Sequence, residues 1–261
     1  MESNESILAR KIEGAQALLD EARALLVSGV CGSAPVSENA ATVTADGSPG
    51  RPSDSTGGQV AAPEKPEKAG APSRKLRVAI VVGHEPTAPG AVNPKTRESE
   101  FAFNDPLADL VMEQLIRQGD GWIEPVKVYR APEGYSALPA KVNATGADFA
   151  IELHANASDG TGNGTEMIFV SPEGKRLAEF LQARVLAALE LKDRGVKTPW
   201  AGRGEYLLKN TVMPCVIAEP FFIDHAGDYA RAKARGSVLA SAYAGAVLDY
   251  AHDRWERGLW R

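Results

Sequence analysis

Three short apolar runs, each closing on a residue with coordination or acid–base chemistry, constrain this chain more than anything else in it. Leu76-Arg77-Val78-Ala79-Ile80-Val81-Val82 leads into Gly83-His84, and Asp148-Phe149-Ala150-Ile151-Glu152-Leu153 leads into His154-Ala155-Asn156-Ala157. Cys215-Val216-Ile217-Ala218 leads into Glu219. Runs of this kind are strands, and amphipathic helical stretches separate them. That alternation indicates an α/β domain with a twisted, largely parallel sheet flanked by helices. Ligands in such sheets gather outside the carboxyl ends of the strands. Two His and a carboxylate delivered to one rim are what a hydrolytic zinc site requires.

The element pattern predicts strand 76–82, a helix from about Asn104 to Gln118, strand 122–130, a short helix over 138–144 and strand 148–153. It continues with strand 165–170, a helix from Glu173 to about Leu191, strand 215–220, and a long closing helix from about Asp228 to Trp255. All aromatic residues and all 4 His fall after Lys75, which places the folded catalytic domain at 76–261.

The front of the chain is different in kind. Over residues 5–28, Leu8, Ile12, Ala15, Leu19, Ala22 and Leu26 recur at heptad spacing, which predicts an amphipathic helix within residues 1–30. With fewer than four heptads and two Ala in the seam, an isolated coiled coil is marginal. Two readings stay open for this helix: rest on the catalytic domain, or self-association and partner docking through residues 5–28. From residue 31 to 75, Pro, Gly and Ser recur without aromatics, as in Pro49-Gly50-Arg51-Pro52 and Pro63-Glu64-Lys65-Pro66. Such a segment buries too little apolar surface to offset its ordering entropy, so it is expected to be a disordered linker.

Bulk properties remove some classes of function. A net charge of -5 argues against a nucleic-acid partner, which needs clustered Lys and Arg. No stretch approaches the roughly 20 apolar residues of a membrane span. Met1-Glu2-Ser3-Asn4-Glu5 lacks the basic start and apolar core of a signal peptide, so the expectation is synthesis in the cytoplasm without a Sec route of its own. Cys31 and Cys215 lie in unlike contexts, linker and apolar strand, and no structural disulfide between them is expected.

Two His need one or two further ligands to hold zinc, and a carboxylate is the usual third in hydrolytic sites. Between the two His lies Arg97-Glu98-Ser99-Glu100-Phe101-Ala102-Phe103-Asn104, at the entry to a helix. Glu98 and Glu100 are both candidates on chemistry alone, and both also suit the positive end of a helix dipole without any metal. Gly83 lets the backbone turn sharply beside His84.

Six motifs then occur in order: Gly83-His84, Pro89-Gly90-Ala91-Val92, Glu100-Phe101-Ala102-Phe103-Asn104, Glu152-Leu153-His154-Ala155-Asn156-Ala157, Gly164-Thr165-Glu166, and Pro214 through Ile223. Together they resemble the type-3 N-acetylmuramoyl-L-alanine amidases, zinc enzymes that cleave bacterial peptidoglycan, over the chain from Leu76 to the closing helix. The resemblance implies one zinc ion per catalytic domain, held by His84, Glu100 and His154. Glu100, standing three residues before Phe103-Asn104, is the residue it selects over Glu98. Glu219 maps to the catalytic acid–base, and its apolar neighbours Val216, Ile217, Phe221 and Phe222 are expected to desolvate it and raise its pKa. Two motifs depart from the family pattern. Phe221 stands where a Gly is usual, and Glu85-Pro86 follow His84 where Gly-Gly is frequent.

The implied activity is hydrolysis of the amide between N-acetylmuramic acid and L-alanine. Without a signal peptide, the reading is a phage or prophage lysin that reaches the cell wall after release. The rival readings are a non-catalytic peptidoglycan-binding module and a zinc peptidase acting on another amide. Among the remaining polar residues, Glu166 is expected to be a solvent-facing strand residue in preference to one that contacts a group behind the metal ligands. Arg194 is expected to be a surface ion-pair partner in preference to a partner for a stem-peptide carboxylate, and Asn156 a turn cap in preference to a hydrogen-bond partner of a ligand. His225 and His252 are expected to be ordinary helix residues.

Overall fold

The computed structural model describes residues 74–199 and 205–260. The helix expected at 5–28 and the linker expected from residue 31 up to 73 lie outside the described residues.

Six strands form one sheet: β1 (Leu76–Val82), β2 (Ile123–Val128), β3 (Phe149–Leu153), β4 (Thr165–Ile168), β5 (Asp193–Lys197) and β6 (Cys215–Glu219). Their spatial order is β2-β1-β3-β6-β4-β5. β2, β1, β3 and β6 run parallel, and β4 turns antiparallel against β6 and carries β5 parallel to itself. The carboxyl ends of β1, β3 and β6 therefore share an edge with the amino end of β4. Pro125, which cannot donate a ladder hydrogen bond, is tolerated in β2 because β2 is an edge strand.

Helices cover both faces. α1 (Glu100–Gln118), α3 (Pro172–Leu189), α5 (Ala226–Ala234) and α6 (Gly236–Glu256) pack on one side; α2 (Leu138–Ala144) and α4 (Glu205–Asn210) pack on the other. The period-two alternation of β1 divides between the two cores. Leu76, Val78, Ile80 and Val82 meet Leu107, Val111 and Leu115 of α1 and Tyr243 and Val247 of α6. Ala79 and Val81 meet Leu138, Val142 and Leu207 on the other side. A strand apolar at both parities is one buried on both faces.

The expected α/β architecture is the observed one, with four local differences. α1 begins at Glu100 rather than near Asn104, because Ser99 caps it by accepting from the Ala102 N–H at 3.2 Å. Pro106, which suits a first turn, sits in the second turn instead. The long closing helix is interrupted at Arg235, giving α5 and α6. β5 and α4 were not expected: Asp193-Arg194-Gly195-Val196-Lys197 is too polar to register as a strand, and Glu205–Asn210 is a helix of only 6 residues. Among the described residues no helix is long and apolar enough to cross a membrane.

Candidate metal centre and catalytic cleft

The chain leaves β1 through a strained turn. His84 has a φ of 67°, a left-handed conformation that non-glycine residues rarely adopt. Gly90, at φ 82°, lies against the His84 ring so closely that a Cβ there would stand 2.6 Å from Cδ2. The loop then places Glu100 at the first position of α1, where the helix dipole favours an anion. Asn93 pins this loop to the one after β6, donating from Nδ2 to the Ile223 carbonyl at 2.8 Å. No motif singled Asn93 out.

Glu100 joins the two histidines. Its Oε2 lies 3.2 Å from His84 Nε2 and 3.1 Å from His154 Nδ1, while Oε1 accepts from the Ala91 N–H at 2.9 Å. The two rings meet edge to face with centroids 4.9 Å apart. One ligand atom from each of the three residues lies within 4.8 Å of the others. Tetrahedral zinc with bonds of about 2.0–2.1 Å sets its ligand atoms roughly 3.3 Å apart. Two nitrogens and one carboxylate oxygen at these separations fit such an ion.

A cleft of about 440 Å³ opens over this cluster, lined by His84, Glu100, His154, Arg130, Glu152 and Glu219 among others. Glu219 ends β6 and is half-buried. Its turn is held on several sides. Thr165 Oγ1 donates to the Pro220 carbonyl at 2.6 Å, the Phe222 N–H donates to Asp228 Oδ2 at 3.2 Å, and the Asn156 N–H donates to the Phe221 carbonyl at 2.8 Å. Phe221, the residue in place of the usual Gly, is fully buried and packs on Phe103 of α1 with ring centroids 4.8 Å apart.

Charges in the cleft are coupled. Burial alone would push the His154 imidazolium down, but the carboxylates of Glu152 and Glu100 outweigh it and raise its pKa to about 10. Burial likewise opposes ionisation of Glu152, yet His154 and Arg130 bring its carboxyl down to about 2. Glu100 is buried too, and its bonds to His154 and His84 hold it well below the usual carboxylate range.

Comparison with known proteins locates this arrangement. The family model described as N-acetylmuramoyl-L-alanine amidase matches residues 78–249, which spans all three clustered residues and Glu219. This chain belongs to the type-3 N-acetylmuramoyl-L-alanine amidase family. It is similar to N-acetylmuramoyl-L-alanine amidase LytC of Bacillus subtilis (strain 168), at 35% identity over 112 residues, 40% of this chain and 22% of that protein. The chain thus spans less than a quarter of that relative's length. Among solved structures, an N-acetylmuramoyl-L-alanine amidase from Clostridium difficile 630 matches with a TM-score of 0.62 at 22% identity, covering 70% of this chain and 100% of that one. The catalytic domain of the CD27L endolysin targeting Clostridia Difficile matches with a TM-score of 0.58 at 25% identity, covering 67% of this chain and 97% of that one.

Within this amidase-family fold the two glutamates of the α1 entry separate cleanly. Glu98 points away from the cluster and accepts from Tyr229 Oη at 2.7 Å and Lys233 Nζ at 3.1 Å. Glu166 corrects an expectation: it is fully buried, not solvent-facing. Antiparallel β4 directs it beneath the cleft, where it accepts from Arg194 Nε at 2.6 Å, Lys197 Nζ at 2.7 Å and Asn156 Nδ2 at 2.7 Å. Arg194 therefore pairs with a buried carboxylate rather than with one on the open surface. Asn156 does serve its own turn, accepting from the Ala157 N–H at 2.9 Å, and also supports Glu166. His225 caps α5, its Nδ1 accepting from the Asp228 N–H at 3.1 Å. His252 lies on α6 beside Glu256.

Proposed function

We propose that this chain hydrolyses the amide bond between N-acetylmuramic acid and L-alanine in bacterial peptidoglycan, with zinc held by His84 Nε2, Glu100 Oε2 and His154 Nδ1. The observation that carries the reading is the convergence of one ligand atom from each of these three residues within 4.8 Å, in a cleft that also contains Glu219, inside the family-matched region. Zinc at this point would supply Lewis acidity, polarising the scissile carbonyl and acidifying water.

The remaining work falls to the chain's own side chains. Glu219 takes a proton from the attacking water and returns it to the amine nitrogen of the departing L-alanine, so that the C–N bond breaks as a neutral amine leaves. The turn that carries Glu219 is fixed by Thr165, Asn156 and Asp228, which keeps the carboxylate oriented toward the cleft through both transfers. The loop carrying Gly90 and Ala91 holds one wall, with the Ala91 N–H fixing Glu100.

Digestion of purified sacculi, with mass analysis of the products and assay of new L-alanine amino termini, tests the proposal with and without chelator. Release of those termini, abolished by EDTA and restored by zinc, is the expected result. Binding without cleavage would favour the non-catalytic module, and cleavage at a different amide would favour a zinc peptidase.

We further propose a lytic setting, as a phage or prophage lysin made in the cytoplasm, on the likeness to the CD27L endolysin domain. Expression in a susceptible host should cause lysis only when the inner membrane is permeabilised, and lysis without permeabilisation would count against that setting.

A further inference from the structure

We infer that Glu152, clamped by Arg130, is a positioning residue that keeps the His154 proton on Nε2 and so presents Nδ1 to the metal. This rests on the metal reading proposed above. Glu152 and His154 are two residues apart at the end of β3, so their side chains project from the same face. Glu152 is fully buried. Its Oε1 accepts from Arg130 Nη2 at 2.7 Å, and the Arg130 guanidinium lies over the Tyr135 ring, 4.6 Å from its centroid. Its Oε2 is buried, has no hydrogen-bond donor among the described residues, and stands 3.3 Å from His154 Nε2.

Once His154 gives up one proton to bind metal, two arrangements of the remaining imidazole proton compete. With the proton on Nδ1, that atom donates to Glu100 Oε2, Arg130 Nη2 at 3.2 Å donates to Nε2, and no nitrogen of His154 is available to a metal. Glu152 Oε2, itself a buried atom, is then left without a donor, which is costly for a carboxylate oxygen. With the proton on Nε2, the N–H faces Oε2, Arg130 keeps Oε1, and the Nδ1 lone pair faces Glu100 Oε2. Glu152 thereby selects the tautomer that can coordinate, and Arg130 holds Glu152 in place. Such carboxylate support of a ligating histidine strengthens metal affinity by about 10–100-fold.

Zinc affinity of the full-length wild type and of Glu152→Gln is to be measured by competition with a chromophoric chelator, with circular dichroism as the check on folding. A loss of about 10–100-fold in the folded variant is expected. Long-range ¹H–¹⁵N spectra of the zinc-loaded wild type should show the His154 proton on Nε2, an arm that needs no variant at all. Equal zinc affinity in both proteins, or coordination through Nε2, overturns the inference while leaving the metal site intact. A wild type that binds no zinc instead overturns the metal reading, and this inference with it.

Discussion

Glu166 and Glu219 stand directly opposite each other in the antiparallel β4–β6 register, two carboxylates paired across neighbouring strands of one sheet. Like charges in that relationship repel. The sheet accommodates them by treating them differently: Glu166 is sealed under the cleft by Arg194, Lys197 and Asn156, while Glu219 stays half-buried at the cleft. One carboxylate is held among cations beneath the sheet edge, and the other faces the cleft, where the proposed mechanism uses it.

Glu219→Gln keeps the shape and removes the proposed base. Zinc content should match wild type, while turnover on purified peptidoglycan should fall about 10²–10⁴-fold, the range for loss of a positioned general acid–base. Zinc analysis together with an amino-terminus assay checks both halves. Turnover at the wild-type rate would place the base on another residue.

Glu166→Gln is expected to act mainly on stability. The variant leaves Arg194 and Lys197 facing a neutral amide, and both cations are partly exposed and can rehydrate. The loss should therefore be about 2–3 kcal/mol, below the cost of breaking a fully buried pair. Urea unfolding of the chelated proteins measures it. A change near zero would mean that the three donors on Glu166 contribute nothing net.

Glu100→Ala and Glu98→Ala separate the two candidates that residue chemistry alone left open. Glu100 bridges both histidines, so its removal should abolish stoichiometric zinc. Glu98 serves an outer network with Tyr229 and Lys233, and its removal should leave zinc intact and cost about 0–1 kcal/mol. Metal analysis after dialysis decides, and zinc lost only from the Glu98 variant would overturn the proposed ligand set.

The fold was legible where strands were apolar at both parities, as in β1 and β6, because such runs permit little besides a sheet covered on both faces. His84, His154 and Glu219 were legible as strand-end residues, and the structure places all three on one cleft. Glu166 was misread because a carboxylate in a short strand looks solvent-facing until its neighbours are known. Its partners come from β5, a strand whose polarity hides it. Asn93 and Asp228 escaped notice for a related reason: each bonds backbone groups far along the chain, Asn93 to Ile223 and Asp228 to Gly164, and such pairings leave no local pattern.

Gly90→Ala should damage the metal site without touching a ligand. The new Cβ would stand 2.6–2.8 Å from three atoms of the His84 ring, on a backbone at φ 82° that Ala rarely adopts. His84 must move, and zinc affinity should fall at least about tenfold if that ligand is misplaced. Titration against a competing chelator reads this directly. Unchanged affinity would show that His84 can shift and still bind.

Protons should compete with zinc in a defined direction. In the metal-free chain the His154 pKa lies at about 10 against an ordinary 6.5, so its ion pairs stabilise the fold fully below about pH 6.5 and are lost as pH rises through 10. Glu152, brought down to about 2 from 4.5, contributes above pH 4.5 and is lost as pH falls through 2. Chelated protein should therefore lose thermal stability progressively between pH 6.5 and 10. Zinc requires an unprotonated ligand nitrogen, so binding near pH 8 should release about one proton from His154, and apparent affinity should rise about tenfold per pH unit through that window. Calorimetry in buffers of different ionisation enthalpy counts the protons. Zinc binding without proton release near pH 8 would mean that His154 is already neutral in the metal-free cleft, and that Glu100 and Glu152 do not hold it charged.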